Sequence, residues 1–321
     1  MTTTASTRGL LGAGSAMFFV GTLTAVSATI SGYPVFGGQA VRYTVAAAVL
    51  LAAVRLAVRR GALTRVRLRP RDLALLAALA ATGLAAFNVC IVAATRDTSP
   101  ATIGTVIATV PIALAVVGPL LERRRPAPAL VVSAVVVAAG AALANGLGGG
   151  TLRGLLLALG ALAGEVCFSL LAVPLLPRLG ALRVSAYSAA MAAPMLMVIG
   201  LVADGRDVVR MPTAAEAAGF TYLSVIVTTV AFFLWYDAIG RLGADRAGLF
   251  AGLIPVSAVV TTVVLGLGTP GPADVAGAAL VAAGVILGLR PARRRAPAGP
   301  AVTQAAVTER AVPEPAPSPA L

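Results

Sequence analysis

Ten mainly apolar runs of about twenty residues each leave this chain very few folds to choose from. An α-helix rises 1.5 Å per residue, so about 20 apolar residues cross the about 30 Å hydrocarbon layer of a bilayer. The runs cover residues 10–30, 36–58, 73–95, 99–121, 127–146, 153–176, 183–203, 216–239, 246–267 and 272–290, with short connections between them. Lipid offers no hydrogen-bond partners, so each run must bond its own backbone, which a helix does. Charge points the same way: 12% of residues are charged, against roughly 25% in a soluble domain, and the charges cluster between the runs. The expected fold is an all-α integral membrane protein with ten transmembrane helices. Residues 1–9 read as an N-terminal segment, and 291–321, rich in Pro, Ala and Arg, as a disordered tail.

The formal net charge of +13 comes from Arg alone, because the sequence contains no Lys or His. Nucleic-acid binding is excluded as a reading, since no soluble domain is present to carry a basic face. The Arg residues instead flank the apolar runs, where they set topology and meet anionic headgroups. One set of ends holds nineteen of them, including Arg55, Arg59, Arg60, Arg123 to Arg125 and Arg293 to Arg295; the opposite set holds four, Arg96, Arg153, Arg206 and Arg210. This asymmetry places both termini in the cytoplasm of a cell inner membrane, and both termini on one side require an even number of spans. The first apolar run reads as a span or signal anchor, with no cleavable signal peptide. Cys90 and Cys167 lie inside separate runs, and without His they imply no metal site. No cofactor is implied.

Two stretches of the chain share a plan. Residues 98–111, Thr-Ser-Pro-Ala-Thr-Ile-Gly-Thr-Val-Ile-Ala-Thr-Val-Pro, align with 242–255, Leu-Gly-Ala-Asp-Arg-Ala-Gly-Leu-Phe-Ala-Gly-Leu-Ile-Pro. Pro111 and Pro255 stand 144 residues apart, as do Gly104 and Gly248. A repeat of five spans is odd, so the second copy enters the membrane from the other face; such inverted repeats place a transport site between two halves. The expected halves are 10–146 and 147–290.

Residues 219–256, which contain Phe-Phe-Leu-Trp-Tyr-Asp at 232–237, closely resemble the eighth and ninth helices of the drug/metabolite transporter superfamily, EamA type. Residues 275–285 resemble that family's last helix, and Arg42 and the Pro111 helix ending near Glu122 resemble features of its first half. The resemblance covers residues 10–290. It implies ten helices in two inverted five-helix repeats around a central cavity, and transport of small metabolites or drugs, more often efflux. Two departures stand out. The second half has Gly268 and Thr269 where the first has the acid Glu122, and Glu165 stands where many relatives have an aromatic or small residue.

An ionisable side chain at the centre of a span costs on the order of 2.5–3.5 kcal/mol on insertion scales, so the few present are candidate site residues. Glu165 lies about 18 Å into its run at 1.5 Å per residue, close to the midplane. It follows Gly160-x-x-x-Gly164, a face on which a neighbouring helix can approach. Two readings are open: a carboxyl that binds and releases a proton, or a neutral acid bonded to another helix. Arg42 either binds a substrate carboxylate or pairs structurally in the bundle. Asp237 stands four residues before Arg241, the spacing of a helical ion pair. Thr98, Thr102, Thr105 and Thr109 share one helical face, as do Thr221, Ser224 and Thr228; such stripes line a polar cavity or bond back to the backbone. Asn88 is a buried amide in need of a partner. Trp235 stacks on substrate or anchors at a membrane interface. Pro111 and Pro255 free backbone carbonyls and are candidate hinges.

These features favour a secondary transporter of small organic solutes working by alternating access, with membrane lipid and a small-molecule substrate as partners, as a monomer or homodimer. No Walker motif is present to couple ATP. An embedded enzyme would need clustered acids or His on facing helices, which the sequence lacks. A passive channel or a scaffold is the alternative.

Overall fold

The computed structural model describes residues 2–146, 148–266 and 269–290; the expected tail at 291–321 lies outside the described residues. The described chain is helical almost throughout. Helix α1 (Thr2–Ser27) covers the first predicted span. It is followed by α2 (Val35–Arg59), α3 (Pro70–Ala94), α4 (Pro100–Leu121), α5 (Pro128–Asn145), α6 (Leu152–Leu170), α7 (Leu176–Asp204), α8 (Ala214–Leu242), α9 (Ala244–Thr261, continuing to Val264) and α10 (Pro272–Leu289). Among the described residues, nine helices, α2 to α10, are long and apolar enough to cross a membrane. The starts follow local chemistry. Pro occupies the first turn of α3, α4, α5, α7 and α10, where its missing N–H costs nothing. Ser99, Thr151 and Thr213 accept the N–H three residues on and cap α4, α6 and α8.

Boundaries differ from expectation in one informative place. The seventh span was expected to begin at Arg183, with Arg178 in the connection before it. Helix α7 instead begins at Leu176 and is broken at Gly180 (φ 74°, ψ 162°), a backbone setting that glycine adopts without penalty. The break tucks Arg183 into the bundle, where it donates to the Thr64 carbonyl.

The 144-residue offset runs through the whole architecture. Eight-residue π-helical segments interrupt α3 at Leu79–Ala86 and α8 at Leu223–Val230. Helices α5 and α10 start at Pro128 and Pro272, and α4 and α9 at Pro100 and Ala244. Both of the latter pair break just before their proline. In α4 a turn at Ala108 and Thr109 separates Pro100–Ile107 from Val110–Leu121; in α9 a 3-10 segment, Leu249–Gly252, precedes Leu253–Val264. The cause is the proline ring, which clashes with the carbonyl four residues back, and Ile107 lies four before Pro111.

The most extensive pairings are α5 with α10, α2 with α7, α1 with α8 and α9, and α6 with α3 and α4. Each joins one half to the other. Small residues set the closest approaches: a methyl built on Gly140 would lie 2.7 Å from the Val281 nitrogen, and one on Gly83 2.7 Å from the Phe168 Cα. Gly164 likewise meets Phe87 and the Thr82 carbonyl at 3.0 Å, so the Gly160-x-x-x-Gly164 face is where α3 docks.

Candidate transport site

Helix α2 carries Arg42 into the bundle, where the residue is 7% exposed. A guanidinium there must be bonded or it will not stay. Its Nε donates to Thr228 Oγ1 at 2.6 Å and its Nη1 to Gln39 Oε1 at 3.3 Å, while its cation lies 5.5 Å from the centroid of the Tyr43 ring. Nη2 has no partner among the described residues. Thr228 is fully buried and passes its own proton to the Leu223 carbonyl, five residues back. That i to i−5 reach exists because Thr228 sits in the π segment of α8, and π bulges often accompany functional sites. The α3 π segment lies near the same centre: the Asn88 amide donates to the Leu84 carbonyl at 2.7 Å within it, and Asn88 stands near the Tyr43 hydroxyl.

Glu165 reaches the cluster from α6. It is half-buried and makes no hydrogen bond or ion pair with any described residue. It stands within electrostatic reach of the Tyr43 and Tyr236 hydroxyls, and no hydrogen bond or ion pair joins it to Arg42. Tyr43, Phe168, Phe232 and Tyr236 form an aromatic wall around this centre, with ring centroids 4.8–6.4 Å apart. A cation, two phenols and an amide thus stand together inside the bundle, with a carboxylate within electrostatic reach of both phenols.

The other expected site residues make contacts of their own. Trp235 is 2% exposed and donates to Ser169 Oγ at 3.2 Å, tying α8 to α6. The α4 stripe does not face the Arg42 cluster. Thr98 Oγ1 and Thr102 Oγ1 donate to the Gly149 carbonyl at 3.0 and 3.4 Å, and Thr105 Oγ1 to the Gly146 carbonyl at 3.0 Å. These hydroxyls fasten the connection between α5 and α6, and Thr109 bonds back to Val106. Asp237 pairs with Arg241 at 2.7 Å, four residues away, as its spacing predicts. Pro111 and Pro255 sit beside helix breaks, in matching positions. Sequence reasoning missed Tyr43 and Tyr236; the only signal was a tyrosine in an apolar run, which is common in a core. Among the described residues, no group of three or more His, Cys, Asp or Glu could hold a metal ion.

Known proteins of similar sequence and shape agree with this picture. The model of the EamA-like transporter family matches twice, at residues 7–146 and 152–290, one match for each half. The uncharacterized transporter YetK of Bacillus subtilis (strain 168) is 26% identical over 78% of this chain and 77% of its own. A protein of Streptantibioticus cattleyicolor named "Probable terminal-alkyne amino-acid exporter" is 29% identical over 82% of this chain and 86% of its own. One solved crystal structure covers 92% of this chain and 100% of itself with a TM-score of 0.73 at 21% identity, a likeness of fold. A multi-pass helical bundle, a duplicated family match over nearly its whole length and transporter relatives converge on one statement: the chain belongs to the EamA-like transporter family.

Proposed function

We propose that the protein is a secondary exporter of small zwitterionic solutes, amino-acid-like in bearing one carboxylate and one amine, and that it works by alternating access. The observation that carries this is the pairing of Arg42 with Glu165. They are opposite charges in the bundle, they come from different halves, both stand near Tyr43, and no hydrogen bond or ion pair joins them. An unpaired interior charge is costly, and a substrate carrying the complementary charges relieves both at once. In this reading ten spans form two inverted five-helix repeats, with both termini in the cytoplasm of the inner membrane. Arg42 holds the substrate carboxylate through Nη2, while Thr228 and Gln39 fix its plane. Glu165 takes the ammonium group, or a proton once the substrate has left. The relative named as an amino-acid exporter supports both substrate class and direction.

The test is counterflow into proteoliposomes preloaded with unlabelled solute, using a panel of zwitterionic, purely cationic and purely anionic compounds. Saturable exchange of zwitterions above the other two classes is expected. Linear, unsaturable flux would favour a passive channel, and no movement of any compound a scaffold.

A further inference from the structure

Outside the central cluster, two acidic residues repeat the 144-residue offset: Asp72 and Glu216. Each is the third residue of its helix, and each bonds its own cap. The Arg69 N–H donates to Asp72 Oδ2 at 2.7 Å, and the Thr213 N–H to Glu216 Oε2 at 2.8 Å. Each also binds an arginine that joins the two halves. Asp72 pairs with Arg178, from the first turn of α7, which further donates to the Arg67 carbonyl at 3.0 Å. Glu216 holds Arg210 bidentately at 2.5 and 2.9 Å, and Arg210 reaches across to the Gly32 carbonyl at 3.0 Å and lies over the Tyr33 ring at 4.9 Å. Tyr33 in turn donates to the Arg210 carbonyl at 2.7 Å. The Glu216 carboxylate raises the Arg210 pKa above its ordinary value.

The two clusters stand at opposite ends of α2. Gly32 and Tyr33 precede its first residue, Val35, and Thr64, Arg67 and Arg69 follow its last, Arg59. Twenty-five helical residues span about 37 Å at 1.5 Å per residue. Surface ion pairs are worth little, but Asp72 and Glu216 are only 8% and 5% exposed. A cleft of about 540 Å³, lined by Tyr33, Asp204, Asp207 and Arg210, opens beside the second cluster.

We propose that Asp72–Arg178 and Glu216–Arg210–Tyr33 are two opposed latches, one sealing each end of the transport pathway, and that the halves rock by releasing one while keeping the other. This rests on the alternating-access reading above, and it assigns residues to the seals. The symmetry of the repeat supports it: the same position in each half supplies the acid, and inversion carries that position to opposite ends.

Amide variants separate latch from cap, because Asn and Gln still accept the cap N–H but carry no charge. Spin labels at Arg65 and Pro177 report one end, and labels at Val35 and Met211 the other, by pulsed electron resonance on the reconstituted full chain. Asp72→Asn is expected to add a longer component to the Arg65–Pro177 distance alone. Glu216→Gln is expected to do so for Val35–Met211 alone. The open-to-closed ratio at the affected end should rise about tenfold, equivalent to about 1.4 kcal/mol. Asp72→Glu and Glu216→Asp should restore the original distances. Unchanged distances in both amide variants, or lengthening at both ends in either, overturns the proposal. So does a pair of which neither member can be neutralised without losing the folded protein, since that marks a fixed clamp. Distances are read without substrate, so a failed transport assay leaves this test standing; solute movement with immobile ends would sink the latches alone.

Discussion

Replacing Thr228 with valine changes little volume but removes the hydroxyl that accepts Arg42 Nε at 2.6 Å. Interhelical hydrogen bonds in membrane bundles average only about 0.6 kcal/mol, with a maximum near 1.7, because the unfolded chain finds other partners. Bonds to charged groups are worth about 1.5–3 kcal/mol in proteins generally. Arg42 is 7% exposed and has one other hydrogen-bond partner among the described residues, Gln39 at 3.3 Å, so the larger figure governs, and a loss of about 2 kcal/mol is expected. The hydroxyl also bonds the Leu223 carbonyl at 2.9 Å, so the single variant alone does not isolate the arginine. A double-mutant cycle with Arg42→Met does: the coupling should be about 1–2 kcal/mol, while the Leu223 contribution persists in both backgrounds. Reversible unfolding in mixed micelles or bicelles gives these values, and Thr228→Ser, which keeps both bonds, should stay within about 0.5 kcal/mol of the parent. A full loss from Thr228→Val in the Arg42→Met background would refute the reasoning, because the hydroxyl would then be supporting its helix and not the charge.

Two further outcomes are expected. Gly83→Val forces a branched side chain against the Phe168 backbone, 2.7 Å from the glycine's ideal Cβ, and should cost about 1–3 kcal/mol by overpacking; Gly240→Ala, whose nearest neighbour is 4.0 Å away, should be near neutral in the same melting assay. Thr98→Val removes a bond to the Gly149 carbonyl, and should speed amide exchange in residues 148–151 several-fold while leaving solute exchange at the parent rate, since this threonine belongs to the connection and not to the site.

Much of the fold was legible because lipid simplifies the code: apolar length reports helices, and Arg reports their ends. The offset between Pro111 and Pro255 was visible for the same reason, since few residues break a membrane helix. What could not be read was which way a polar side chain turns. A threonine stripe marks a face but does not name its neighbour, and the α4 face meets the backbone at Gly146 and Gly149 where a cavity was one expectation. Trp235 has one apolar body wherever it sits, and its bond to Ser169 appears only in the folded bundle. The π segments leave no mark in the sequence, because the mix of apolar and hydroxyl residues at Leu79–Ala86 and Leu223–Val230 is ordinary for a membrane helix; yet the second sets the reach of Thr228. Asp72 and Glu216 were within reach of the argument, since the offset that paired the prolines also pairs these acids.

Glu165 forms no bond to a described residue, so Glu165→Gln should leave the melting temperature close to the parent value, and any change in transport will reflect the site and not the fold. The central claim is that Arg42 and Glu165 together bind a zwitterion and that Glu165 exchanges it for a proton. Counterflow of a zwitterionic amino acid into proteoliposomes, with and without a pH gradient, tests this most directly. The account predicts that the parent protein gives saturable exchange that the gradient accelerates, that Arg42→Gln loses at least tenfold, and that Glu165→Gln retains no response to the gradient. Exchange at the parent rate in both variants, with the gradient response intact in Glu165→Gln, would contradict it.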